Sequence, residues 1–267
     1  MLPFIHLFGR QIPMYSLWSF LGCAVAFLYG YFVNRSQKRG TVPPSDLFHI
    51  GILSVVGVFV GAKLLYLLTA IPLIIEIWPR ILENPAILIS FITGGLVFYG
   101  GLIGGLAAAF WYCRRYSISF KTVVGILTPC IPLFHVFGRI GCFFAGCCWG
   151  IEVPWGFSFS HSIGAPNGVP LLPMQLIEAG GNLLLFIALV LAVRKMQQAW
   201  MALPLYLFLY GLMRFILEFF RGDKERGVAL LSTSQWIALA IMLAVLLFFF
   251  RHQKKQEPHP PAGQNHP

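Results

Sequence analysis

Seven stretches of about twenty apolar residues constrain this chain more than any other feature. They lie at roughly 14–33, 46–70, 86–112, 121–148, 175–193, 201–220 and 232–250. A run of that length crosses a bilayer's hydrocarbon core, about 30 Å thick, as a helix. Helix is required there because lipid offers no partner to backbone N–H and C=O groups. The 267 residues are 58% apolar and only 10% charged. A soluble domain carries about a quarter charged residues. Too few charges remain here to cover a water-facing surface. Length excludes a small secreted disulfide scaffold, and apolar content excludes a disordered chain. The expected fold is an all-α polytopic membrane protein with about seven transmembrane helices, a single domain over 1–251. The third and fourth runs are long and interrupted by glycine, so they are candidates for broken or re-entrant segments. The first run follows a stretch with one cation and no small-residue cleavage site, so it reads as a span rather than a signal peptide.

The net charge of +10 could suggest a nucleic-acid partner. Its placement argues otherwise, because the cations sit in short clusters between apolar runs and form no basic stripe with interleaved aromatics. Arg35, Lys38, Arg39, Arg114, Arg115, Lys121, Arg194, Lys195, Arg251, Lys254 and Lys255 fall on one side of the spans. Arg10, Arg80, Arg221, Lys224 and Arg226 fall on the other. The positive-inside rule then puts the N-terminus outside and the C-terminus in the cytoplasm, and seven spans give the same parity. The polar, proline-rich tail over 252–267 is expected to be disordered and cytoplasmic. The segment 149–174 falls outside. It carries Trp149, Trp155, Phe157, Phe159 and His161, and reads as an interfacial loop on the outer surface.

Ionisable groups inside the runs carry the chemistry: Lys63, Arg139, Glu178, Arg214 and Glu218. Each costs at least about 2.5–3.5 kcal/mol at a helix centre, so each is a functional candidate. Tyr210, Arg214, Glu218 and Arg221 share one helix face at steps of four, four and three. A self-satisfied Arg214–Glu218 pair is one reading. Two or three inward arginines, with Arg139 from another run, instead ask for an anion. A guanidinium fork matches phosphate, and the abundant membrane anions are phospholipid headgroups.

Residues 94–105 read GGLVFYGGLIGG, with Gly100/Gly104 and Gly101/Gly105 spaced for close helix approach. Tyr99 brings a hydroxyl to that segment. Residues 135–150 hold His135, Arg139, Cys142, Cys147, Cys148 and four glycines. The three cysteines read first as small packing residues, then as a redox or disulfide pair, and last as metal ligands. No metal or cofactor is expected.

The run Gly138-Arg139-Ile140-Gly141-x-Phe143-x-x-Gly146-x-x-Trp149-Gly150 resembles the signature of the bacterial prolipoprotein diacylglyceryl transferases. So do FYGGLIGG at 98–105, Pro173-x-Gln175-Leu176-x-Glu178, and the segment from Tyr210 to Arg221. Tyr15 matches a family tyrosine, and Gly61-Ala62-Lys63 resembles a family Gly-Ala-Arg segment. The resemblance covers nearly the whole chain in order. It implies a seven-span fold around a central lipid-binding cavity in the bacterial cytoplasmic membrane. It also implies transfer of diacylglyceryl from phosphatidylglycerol to the lipobox cysteine thiol of a prolipoprotein, releasing glycerol 1-phosphate. On that resemblance Arg139 binds the lipid headgroup, with Tyr210, Arg221, Gly150, Tyr15 and Cys142 as further substrate contacts. Arg214 and Glu218 join the catalytic set.

The chain departs from the family pattern at several positions. Tyr99 stands where the family has histidine, Cys142 and Ala145 where it has asparagine, Cys147 where it has glutamate, and Ile151 where it has arginine. The anion-binding arginines persist while the expected base changes. Tyr99 and His135 are the candidate bases, and the ordinary pKa of histidine, near 6.5, favours His135. A transferase with another acceptor, a non-catalytic lipid-binding protein and a thiol-redox membrane protein are the alternative functions.

Overall fold

The computed structural model describes residues 3–7, 9–36, 42–95, 97–222, 227–228 and 231–254. Two short strands, β1 (Phe4–Leu7) and β2 (Arg10–Pro13), form an antiparallel hairpin ahead of helix α1 (Met14–Ser36). Then follow α2 (Pro44–Glu76), α3 (Trp78–Glu83), α4 (Ala86–Thr93), α5 (Phe98–Arg115), α6 (Phe120–Leu127) and α7 (Cys130–Ala145). The segment after α7 carries β3 (Glu152–Ser158) and β4 (Pro170–Leu171), paired antiparallel. Helices α8 (Met174–Lys195), α9 (Ala202–Leu217) and α10 (Thr233–Lys254) follow, with the small hairpin β5 (Gly227–Val228) and β6 (Leu231–Ser232) before α10.

Six segments among the described residues are long and apolar enough to cross a membrane: 14–36, 44–76, 120–145, 174–195, 199–220 and 233–251. The expected seventh, at 86–112, is broken. Its first part is the eight-residue α4, and its second is α5, which runs to Arg115. The break has a local cause: Gly94 is extended at φ −91°, and Gly95 takes φ +66°, a left-handed conformation that glycine adopts without steric cost. The second run extends beyond its apolar limits into the 33-residue α2. At 1.5 Å per residue that is about 50 Å, more than the hydrocarbon core spans untilted. The fourth run is interrupted at Thr128 and Pro129 and ends at Ala145 rather than at Cys148. Lys38, Arg39, Lys224, Arg226 and residues 255–267 lie outside the described residues, and the first three residues of the expected disordered tail, 252–254, instead continue α10.

The chain divides into two compact units, residues 31–123 and residues 1–30 with 124–267. In the first, α2 and α5 pack through glycine. Gly57 and Gly61 of α2 meet Gly100 and Gly104 of α5, so the small-residue spacing in the sequence marks a real helix contact. A Cβ at Gly57 would stand 2.5 Å from the Gly104 carbonyl oxygen, and a Cβ at Gly104 would strike the Gly57 carbonyl. Gly104→Ala is therefore expected to lower the thermal unfolding midpoint in detergent, at a cost of about 1–3 kcal/mol. Gly180→Ala, where an added Cβ meets nothing within 4 Å, is the comparison and should leave stability within about 0.5 kcal/mol.

In the larger unit, α1 lies against α7 and α8. Trp18 stacks on Phe144 with ring centroids 5.7 Å apart, and Tyr29 meets Phe186 edge-on at 5.0 Å. Gly141 of α7 leaves room for Tyr15 and Trp18. Leu189 of α8 and Ala202 and Tyr206 of α9 form one buried core, with Ile131 of α7 against it. Phe159, Ala165 and Leu171 form a second beneath the loop that follows α7, packed on Phe143 and Trp149. That loop is thus an ordered structure on its own apolar core. Trp155 and Ile163 remain largely exposed on it.

A buried arginine–carboxylate cluster as candidate active site

The charges within the apolar helices of the larger unit converge. Glu178, on the first turns of α8 and 3% exposed in its side chain, receives three guanidiniums. Arg139 of α7 approaches through Nε at 2.6 Å, Arg214 of α9 through a terminal nitrogen at 3.0 Å, and Arg221 at 3.6 Å. Arg214 turns its other terminal nitrogen to Glu218 at 2.6 Å, the i, i+4 pair expected from the sequence. Three guanidiniums thus share two carboxylates, leaving one net positive charge in this cluster. Arg139 remains the most open of them, with 21% of its side chain exposed against 4% for Arg221. A group of this charge, with one partly exposed arginine side chain, can hold a monoanion such as a phosphodiester.

Backbone pairing fixes the far side of the cluster. After α9 the chain tightens into one turn of 3₁₀ helix over Glu218–Phe220 and then extends. The Ile151 amide donates to the Phe220 carbonyl at 2.9 Å, and the Gly222 amide to that of Trp149 at 3.0 Å. Gly150 and Arg221 are thereby bridged antiparallel. Gly150 has no space for a side chain, because a Cβ there would lie 2.6 Å from Met174 Cγ. Its place among the site residues is thus to let two loops meet behind Arg221.

The other expected residues divide. Tyr210 lies on α9 one turn before Arg214, its ring 5.5 Å from that of His135. His135 is one turn before Arg139 on α7, with Nδ1 3.4 Å from the Tyr206 hydroxyl. Tyr15 opens α1 against Gly141, half exposed. Cys142 is buried at the end of α7. Tyr99 belongs to the first turn of α5 in the other unit, and its side chain lies outside the described residues. Lys63, counted among the intramembrane charges, is occupied within its own unit. It donates to the Phe91 carbonyl at 3.0 Å and to that of Gly94, closing the C-terminal end of α4. Glu178 is the residue whose role was missed. It was singled out as an intramembrane charge and as the end of a family-like stretch, with no role assigned, yet it is the common partner of all three arginines.

Beyond α7 the three cysteines converge, their sulfur atoms all within 4.8 Å of one another. Hydrogen bonds from Cys142 and Cys147, followed by the charges of Arg221 and Arg139, hold the Cys148 thiol below its ordinary range, against desolvation.

The model of the prolipoprotein diacylglyceryl transferase family matches residues 3–251. A relative from Clostridium tetani is 34% identical over 254 residues, 94% of this chain and 98% of its own. One from Idiomarina loihiensis is 35% identical over 262 residues, 94% of this chain and 92% of its own. A third, from Clostridium perfringens, is 31% identical over 91% of this chain and 92% of its own. The first two are named phosphatidylglycerol–prolipoprotein diacylglyceryl transferase, and the third carries that name with the numeral 2.

Proposed function

This chain belongs to the prolipoprotein diacylglyceryl transferase family, and from that membership we propose that it moves the diacylglyceryl group of phosphatidylglycerol onto the cysteine thiol of a prolipoprotein. It is a multi-pass membrane protein and a transferase. The observation that carries the site assignment is the arginine cluster near the ends of three apolar helices, three guanidiniums against two carboxylates.

In the reaction the acceptor sulfur bonds to the terminal glyceryl carbon while that carbon's bond to the phosphate oxygen breaks. The thiol proton leaves to a base or to solvent. The phosphate begins as a monoanion and departs as glycerol phosphate with a second negative charge developing. Fixed positive charge aimed at that oxygen lowers the barrier, because it interacts more strongly with the transition state than with the bound lipid. Arg139, whose side chain is the most exposed of the three, takes the phosphate. Arg214 and Arg221 are oriented by Glu178 and Glu218 and add to the field. Tyr210 and Tyr15 bear hydroxyls suited to the glycerol end, and His135, one turn before Arg139 on α7, is the candidate base for the proton. The same cationic field favours the acceptor's thiolate, which is the nucleophile. The N-terminus faces outward and the C-terminus lies in the cytoplasm, with the substrates met at the outer leaflet of the bacterial cytoplasmic membrane.

The test is direct. Purified protein is incubated with phosphatidylglycerol and a lipobox peptide, and the peptide is read by mass spectrometry. The expected result is a mass increase of one diacylglyceryl group on the cysteine, absent with a Cys→Ser peptide and with phosphatidylcholine as donor. An unmodified wild-type peptide under these conditions overturns the reading.

A further inference from the structure

Cys142, Cys147 and Cys148 are brought together by a fold-back that the backbone is built to make. Helix α7 stops at Ala145, and Gly146 turns left-handed at φ +69°. The Cys147 amide donates to the Cys142 carbonyl at 3.1 Å. Cys148 itself sits at φ +60°, where a residue with a Cβ is held at a cost of about 1–3 kcal/mol and persists only because its surroundings impose it. Gln175 of α8, 1% exposed, donates to the Cys147 carbonyl at 2.6 Å and fixes the turn from the other side. Small packing residues would not need their sulfurs to converge. A disulfide would use two of them and leave the third.

We propose that Cys142, Cys147 and Cys148 bind one thiophilic d10 cation of the Zn(II) class through three thiolates, leaving a fourth position open to an incoming thiol. Zinc–sulfur bonds are about 2.3 Å, so three thiolates on one ion stand about 3.8–4.0 Å apart. The sulfurs already lie within 4.8 Å of each other. Binding replaces three S–H bonds with three metal–sulfur bonds and releases three protons to solvent, with no change of oxidation state. A divalent ion with three thiolates carries one net negative charge. Three protein ligands with one open position is the arrangement of a catalytic rather than a structural zinc site. A thiol entering that position loses its proton outright. Resting on the transfer function proposed above, the entering thiol is that of the acceptor peptide. The cluster then supplies the nucleophile that no base in the arginine site has to generate.

The experiment uses the full chain purified in detergent, stripped with chelator and reloaded with zinc alone. One zinc per chain is expected, with X-ray absorption reporting three sulfur ligands. Zinc should protect these three cysteines, but not Cys23, from alkylation mapped by mass spectrometry. Cys147→Ser should weaken binding by more than the about ten- to a hundred-fold that loss of an outer-shell partner costs, because it removes a direct ligand. Adding a lipobox peptide should raise the sulfur count to four, and its Cys→Ser counterpart should not. Absence of sulfur-bound zinc in the wild type, equal protection in its absence, or a sulfur count indifferent to the peptide overturns the proposal. Transfer assays on the same stripped and loaded samples separate the two readings. Undiminished transfer by stripped protein that binds no zinc removes the metal and leaves the transferase. Four-sulfur zinc without transfer removes the transferase and leaves the site.

Discussion

Arg139→Ala is expected to abolish diacylglyceryl transfer, a fall of at least about a hundred- to a thousand-fold of the kind seen when one donor to a developing oxyanion is removed. The argument is one of charge. With Arg139 the cluster holds three guanidiniums and two carboxylates; without it, two and two. The remaining pairs are self-satisfied, since Arg214 reaches both Glu178 and Glu218, and Arg221 still reaches Glu178. Folding should therefore survive while the attraction for a phosphodiester is lost. Arg139→Lys separates charge from shape. It keeps the net positive charge but has no planar fork to hold Glu178 and a phosphate oxygen together, so transfer should fall to an intermediate level. The checks are peptide mass spectrometry for transfer and the thermal unfolding midpoint for folding. Transfer by Arg139→Ala within a few-fold of wild type would remove Arg139 as the headgroup clamp.

What could be read from the sequence follows the reach of helical arithmetic. Within one helix, spacing alone places side chains, and it put Arg214 and Glu218 together as found. Composition and run length gave the membrane class and most of the spans, because lipid leaves helix as the local solution. The glycines of α5 were readable as a close-approach surface, although their partners Gly57 and Gly61 are about forty positions earlier. Spacing carries no information between helices. Glu178 is 39 positions from Arg139 and 36 from Arg214, so its role could be found only by asking what balances three arginines with one acid already spent. The cysteines illustrate the other limit. A separation of five on a continued helix puts Cys142 and Cys147 on different faces. Only the left-handed turns at Gly146 and Cys148 bring the sulfurs together, and a cysteine at positive φ is not something sequence pattern announces. The break at Gly94 and Gly95 lies between these cases: the glycines marked the run as a candidate for a broken segment, but the count of seven still took it as one span.

Glu178→Ala should be the most destabilising single change in the arginine cluster. It removes the common partner of Arg139, Arg214 and Arg221 from a position where the carboxylate is 3% exposed. Breaking a buried ion pair from one side costs about 3–5 kcal/mol, because the opposite charge is left behind in a poor solvent for it. Here Arg214 would keep Glu218, while Arg139 and Arg221 would lose the carboxylate they share. Glu178→Gln keeps the volume and an acceptor oxygen but not the charge, so its unfolding midpoint in detergent should fall between wild type and Glu178→Ala. Both variants should lose transfer, since the guanidiniums are no longer aimed. If charge imbalance rather than lost packing is the cause, removing a positive charge as well should restore part of the stability. Arg221, 4% exposed and 3.6 Å from Glu178, is the guanidinium to remove. The double variant Glu178→Gln/Arg221→Gln is expected to be less destabilised than the sum of its single changes, with a coupling of about 0.5–3 kcal/mol. Additive midpoints would mean that Glu178 acts by filling space, and that the cluster's charges are each compensated independently.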